Sequence, residues 1–151
     1  MARVVAEVSP EGFLGVEPPV DIDARTERLR ELISSSAEGP SAAWVLEDQA
    51  AIVGHADLHV RVAGVLSLGM AILPGARGRG GGRALLNAAI EHAQATDAHK
   101  LDLEVWVDNA RAIALYASAG FEVEGLRRDH YRRRDGRLRS TLIMARRLRD
   151  A

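Results

Sequence analysis

The chain has 151 residues, 47% of them hydrophobic and 27% charged, with a formal net charge of −1. It is long enough for one domain with a substantial core, and its near-neutral balance implies neither a nucleic-acid partner nor a membrane surface. With no cysteine, disulfides, thiolate metal sites and a cysteine nucleophile are excluded, and the start MARVVAEVSP lacks a secretory apolar core, so a cytoplasmic protein without a membrane segment is expected.

In chain order, VVAEV (residues 4–8) is β-branched and predicts a first strand. Residues 9–20 carry Ser, Gly and three prolines and predict a loop. The stretch DARTERLRELISSS then places Ile22, Leu29, Leu32 and Ile33 on a narrow apolar stripe at helical spacing. Asp21 or Asp23 caps its start, and Gly39-Pro40 lies past its end. Three strand-like runs follow at 42–47, 51–60 and 64–73, joined antiparallel by turns near Glu47-Asp48 and Ala63-Gly64. Residues 83–95 predict a helix with Leu86, Ile90 and Ala93 on one side.

LDLEVWV (101–107) alternates as a strand does, with Leu101, Leu103, Val105 and Val107 on one face and Asp102, Glu104 and Trp106 on the other. A helix over about 109–119 is capped by Asn109 and stopped by Gly120. The tail is split into a hairpin at Asp135-Gly136. The order predicts a single α+β domain over residues 1–151, with a mixed, mostly antiparallel sheet and helices packed on it.

The stretch RGRGGGRALL (77–86) opens the 83–95 helix. A helix N-terminus leaves backbone N–H groups unpaired, and glycines let them converge on an anion such as phosphate. Arg77, Arg79 and Arg83 add positive charge around that cradle. They lie in the basic part of the chain: residues 1–60 hold 11 acids and 4 bases (−7), the remainder 10 and 16 (+6). A P-loop is excluded, because no lysine follows the glycines and Lys100 is the sole lysine. Gly78-x-Gly80-x-Gly82 also misses the dinucleotide-binding spacing. Taken alone, the loop fits either a phosphate cradle or a glycine-rich connection with solvated arginines.

Arg77-x-x-Gly80-x-Gly82 followed by NARAIALYASAGF (109–121) resembles the GNAT superfamily of acyl-CoA-dependent N-acetyltransferases, over roughly residues 42–148. Two helices are usual before the match, where the sequence predicts one. The resemblance implies a sheet splayed between the fourth and fifth strands, here 64–73 and 101–107, with helices on both faces. It further implies that acetyl-CoA is the acyl donor. The pantetheine arm would pair with backbone around Met70, Ala71 and Ile72. The pyrophosphate would lie on the N–H groups of Arg77, Gly78, Arg79, Gly80, Gly81, Gly82 and Arg83. Asn109 caps its helix, touches the cofactor arm, or does both, and a backbone N–H near Met70 is the expected oxyanion donor.

Acetyl transfer to an amine requires a base for the amine, a donor for the oxyanion and a proton for the departing thiolate. With no cysteine, direct attack by the amine is favoured over an acyl-enzyme. On the resemblance, Glu104 is the base and Tyr116 the acid; the alternatives are a solvent-facing glutamate and a core tyrosine. Asp102, on the face of Glu104, is a lesser candidate that would assist through water. His55, Asp57 and His59 alternate on one strand face, as metal ligands, a polar substrate wall or a solvated surface; one strand seldom supplies a complete metal site, and none is expected.

The segment RRDHYRRRDGRLRSTLIMA is similar to the tail of bacterial ribosomal-protein alanine N-acetyltransferases, which makes Tyr131 a substrate-side candidate; a charged, solvated hairpin is the alternative. A peptide or protein N-terminus and a small-molecule amine both remain open as acceptor. Homodimers are frequent in the family, though no patch here is diagnostic. The competing class is a non-catalytic acyl-CoA sensor, and a nucleotide-phosphate binder is a weaker rival.

Overall fold

The computed structural model describes residues 1–36 and 39–149. Three antiparallel strands, β1 (Ala42–Asp48), β2 (Ala51–Val62) and β3 (Val65–Ile72), form one side of the sheet. After α3 (Gly81–Ala95), β4 (Lys100–Trp106) runs parallel to β3, and after α4 (Ala110–Ser118) the hairpin of β5 (Glu122–Arg132) and β6 (Leu138–Arg147) completes it. The order across the sheet is β1-β2-β3-β4-β6-β5. Leu58, Leu66, Leu101, Leu103 and Met144 are buried on one face against Leu86 and Ala89 of α3 and Tyr116 of α4. By the alternation of strand side chains, Ala71 lies on the other face, where α1 (Ala2–Val8) seats Val4 and Val8 against it.

Pairing between β3 and β4 covers only Val65–Lys100, Leu66–Leu101 and Ser67–Asp102. Beyond Ser67 the strands part, leaving 68–72 and 103–106 as the walls of a V-shaped cleft. These are the segments expected to splay. They are the third and fourth strands of the sheet rather than the fourth and fifth, because the predicted first strand is a helix. In VVAEV, Val4, Val5 and Val8 are each at most 3% exposed, and the spacing i, i+1, i+4 suits one helical face. The β-preference of valine amounts to less than about 1 kcal/mol per residue, which tertiary burial overrides.

With α2 (Ile22–Ser36), the region before the sheet holds two helices where the sequence suggested one. Asp21 Oδ1 does accept from the Ala24 N–H at 2.9 Å as the expected cap. The α2 stripe is only partly used, since Leu29 is buried while Ile22 and Ile33 are exposed. The β1–β2 turn lies at Gln49-Ala50, just after the expected position, and both residues have positive φ. Gly120, at φ 82°, ends α4 as expected.

The α1–α2 face of the sheet is polar. Arg61 Nε donates to Asp102 Oδ1 at 3.1 Å, and its NH2 donates to Ser67 Oγ at 3.0 Å. Asp102 and Ser67 are the last β3–β4 pair, so Arg61 pins the sheet at the apex of the V. This pairing commits the buried Asp102 carboxylate to a partly exposed arginine.

His55 is 2% exposed, and among the described residues its Nδ1 has no hydrogen-bond partner. Burial pushes its pKa down to about 4; Asp57 opposes the shift, while Arg25 of α2 and the N-terminal amine reinforce it. His55 is therefore neutral in the fold, whereas an unfolded chain takes up the proton near pH 6.5. Stability is thus complete above pH 6.5 and declines as the pH falls from there toward 4, by on the order of 3 kcal/mol. Urea unfolding of the wild type at about pH 7 and about pH 4.5 should show this loss, and His55→Leu should flatten the slope. An equal slope in both chains would assign the loss to other groups. Asp57 lies 3.9 Å from His55 Nε2 and 3.8 Å from His59 Nδ1, linking the two imidazoles.

Candidate active site

The V opens into a cleft of about 560 Å3 lined from four directions. Leu68 to Ile72 of β3 form one wall, and Glu104 and Val105 of β4 the other. The glycine loop and the start of α3 close one end. Asn109, Arg111, Ala112, Leu115 and Tyr116 form the α4 side, and Val8, Glu11, Phe13, Leu14 and Gly15 of the N-terminal region complete the lining.

Along β3, the edge facing the cleft has no strand partner past Ser67, so backbone donors and acceptors around Met70 and Ala71 are available to an extended ligand. The Ile72 carbonyl is already engaged, accepting from Arg77 Nε at 2.8 Å. Gly80 takes the N-cap position of α3 at φ 85°, a conformation that strains residues bearing a Cβ. Among the described residues no side chain caps this helix, and the first intrahelical bond runs from the Ala84 N–H to the Gly80 carbonyl at 3.0 Å. The amides of Gly81, Gly82 and Arg83 are left as donors at the positive end of a 15-residue helix.

The loop arginines are more committed than their sequence positions implied. Arg77 makes a two-pronged pair with Glu11, at 2.9 and 2.6 Å, and this pair holds the Glu11 carboxyl below its usual range. Arg79 pairs with Asp48 at 2.6 Å and stands back from the cleft. Arg83 lines it while donating to Ser118 Oγ. Gly81 is also set back: a Cβ there would lie 2.4 Å from Leu46 Cδ2, so its small size serves packing. Gly78, Gly80 and Gly82 line the cleft.

Asn109 lines the cleft and also caps α4, accepting from the Ala112 N–H at 3.3 Å. Tyr116 is 8% exposed and contacts Phe121 at a ring-centroid distance of 5.9 Å. Burial pushes its phenol up to about 12, so it carries its proton at any pH near neutrality. Glu104 stands on the β4 wall. Its Oε1 accepts from the Tyr131 hydroxyl at 2.8 Å and from Thr141 Oγ1, while Oε2 lies 3.5 Å from Arg127. Tyr131 is raised by burial first and then by its bond to Glu104. It meets the site through this carboxylate.

Glu11, Phe13, Leu14, Gly15, Arg111 and Thr141 were not singled out from the sequence. The adjacent apolar pair Phe13-Leu14, inside a Gly- and Pro-rich loop, was the available signal of a packed rather than solvated segment. Among the described residues no helix is long and apolar enough to cross a membrane, and no cluster of three or more His, Asp or Glu is arranged to hold a metal ion.

A ribosomal protein bS18-alanine N-acetyltransferase from Escherichia coli is 42% identical over 76 residues, which is 50% of this chain and 51% of that enzyme. Other curated relatives are spanned over 29% to 63% of their length. The crystal structure of a ribosomal-protein-alanine N-acetyltransferase from Brucella melitensis superposes with a TM-score of 0.82 at 26% identity, covering 96% of this chain and 92% of that one. An acetyltransferase from Salmonella typhimurium, solved with acetyl-CoA, shares the fold with a TM-score of 0.81 at 21% identity, covering 99% and 86%. The acetyltransferase (GNAT) family pattern matches residues 10–121, the span that contains the helix-opening amides, Glu104 and Tyr116. With the fold, the splayed strands and this match in agreement, the chain belongs to the GNAT acetyltransferase family.

Proposed function

We propose that this chain transfers an acetyl group from acetyl-CoA to a primary amine by direct attack within a ternary complex. The observation that carries this reading is that Glu104 and Tyr116 both line one cleft, which also takes in the start of α3, where no side chain among the described residues caps the helix. Acetyl-CoA fits what is present: an uncapped helix N-terminus for the pyrophosphate and an unpaired strand edge for the amide-bearing arm. It supplies the thioester whose acyl carbon the amine attacks, with C–N formed and C–S broken. Glu104 takes the proton from the amine nitrogen, and Tyr116 gives its proton to the sulfur and is reprotonated from solvent. In this reading a backbone N–H near Met70, which lines the cleft, donates to the oxyanion.

Tyr131, bonded to Glu104, brings the tail hairpin to the base, which suits an acceptor whose backbone extends from the reacting amine. A peptide or protein N-terminus and a small-molecule amine are both compatible with that placement. The test is a panel of peptide N-termini and small amines with acetyl-CoA, read by the mass of the products alongside calorimetric binding of acetyl-CoA. One acceptor or class of acceptors should gain a single acetyl group. Acetyl-CoA binding without any turnover would replace this reading with a sensor, and ATP or NAD stabilising the fold more than coenzyme A does would replace the donor.

A further inference from the structure

Residues 12–18 form no helix or strand, yet four arginines from outside the segment fasten it and the adjoining Glu11. Arg77 grips Glu11 at the foot of the glycine loop. The other three come from the β5–β6 hairpin: Arg139 donates to the Gly12 carbonyl, Arg133 to the Leu14 carbonyl at 3.3 Å, and Arg134 to the Pro18 carbonyl. Glu17 adds an ion pair to Arg133 at 3.5 Å and accepts from the Arg134 N–H. Three of the hairpin's contacts are to carbonyls, so it holds the path of the segment as well as the Glu17 side chain. Phe13, Leu14 and Gly15 are thereby presented to the cleft.

Arg139 is central to the arrangement. Its guanidinium lies 4.3 Å from the Trp106 ring and 6.0 Å from the Phe13 ring, while NH2 pairs with Asp108 at 2.6 Å. It therefore joins the segment, the end of β4 and the turn into α4. Trp106 shares a strand face with Glu104 two positions earlier, which places the stack about 7 Å along β4 from the base.

We propose that Arg139 is a positioning residue for the acceptor: it holds segment 12–18 over Trp106, so that Phe13 and Leu14 form the wall against which the amine substrate is seated beside Glu104. This rests on the acetyl-transfer reading above. A planar fork serves here where a point charge does not, because the two arms reach Gly12 and Asp108 while the face stacks on an indole.

The test uses Arg139→Met and Arg139→Lys in the full chain, with the best amine from the panel. Both should raise the KM for the amine by about tenfold or more while kcat and the KM for acetyl-CoA stay within about threefold, lysine failing to rescue. Amide hydrogen exchange over residues 12–18 should quicken in both, with β3 and α3 unchanged. An unchanged amine KM, a parallel rise in both KM values, or full rescue by lysine would overturn the proposal. Unchanged exchange in an active enzyme would overturn the clasp alone. A wild type that binds acetyl-CoA and modifies no amine would instead sink the acetyl-transfer reading, and the acceptor role with it, whatever the exchange data showed of the clasp.

Discussion

Glu104→Gln should lower acetyl transfer at neutral pH by about 10²- to 10⁴-fold, the range expected when a positioned general base is removed. The substitution is conservative at this site. Oε1 already accepts from Tyr131 and Thr141, and the amide oxygen of glutamine can accept both bonds in the same place. What is lost is the proton-accepting capacity of the second oxygen, which stands 3.5 Å from Arg127. The deficit should shrink as the pH rises, because an amine deprotonated by solvent no longer needs the carboxylate; for an α-amine that change centres near pH 8. Acetyl-CoA affinity should be unaltered. A rate profile that stays parallel to the wild type at every pH would recast Glu104 as a group that orients the acceptor.

The same carboxylate illustrates where sequence reading reached and where it stopped. Alternation, a local and periodic feature, put Glu104 on the polar face of β4, whereas Tyr116 was a candidate only through the motif NARAIALY and the family it resembles. Tyr131 and Glu104 were each visible as candidates, but their hydrogen bond was not: they are 27 residues apart and meet only through the pairing of β6 with both β4 and β5. Asp102 was expected beside Glu104 as a helper. Its capture by Arg61, 41 residues distant, follows from sheet register that composition does not encode. The arginines of the loop were counted as a positive field, and their fixed partners Glu11 and Asp48 lie in the acidic first part of the chain. The charge asymmetry of the sequence is in this respect partly an internal pairing.

The first 40 residues were the least legible for a physical reason. The α1 valines are poor helix formers by propensity, and the helix, only 7 residues long, is marginal in isolation. It exists because Val4 and Val8 close over Ala71, on a face of the sheet otherwise lined with His55, Asp57, Arg61 and Asp102. The loop after it reads as solvated from its prolines and glycines, yet arginines more than 60 residues distant draw it into the cleft. A contact set by long-range ion pairs leaves no periodic trace.

Tyr116→Phe should cut kcat by about 10²- to 10³-fold while the dissociation constant for acetyl-CoA stays within about threefold. The ring remains packed against Phe121, and among the described residues the hydroxyl has no protein partner that the change would strand. Thermal stability should accordingly stay close to wild type. The pH dependence separates this variant from Glu104→Gln. With its phenol held up near 12, Tyr116 is protonated throughout the working range, so its removal takes away a donor that no modest change of pH restores. The deficit should therefore be flat with pH, where that of Glu104→Gln narrows as pH rises. Unchanged turnover with the true amine would take Tyr116 out of the mechanism, and a loss matched by weaker acetyl-CoA binding would make it a binding residue instead.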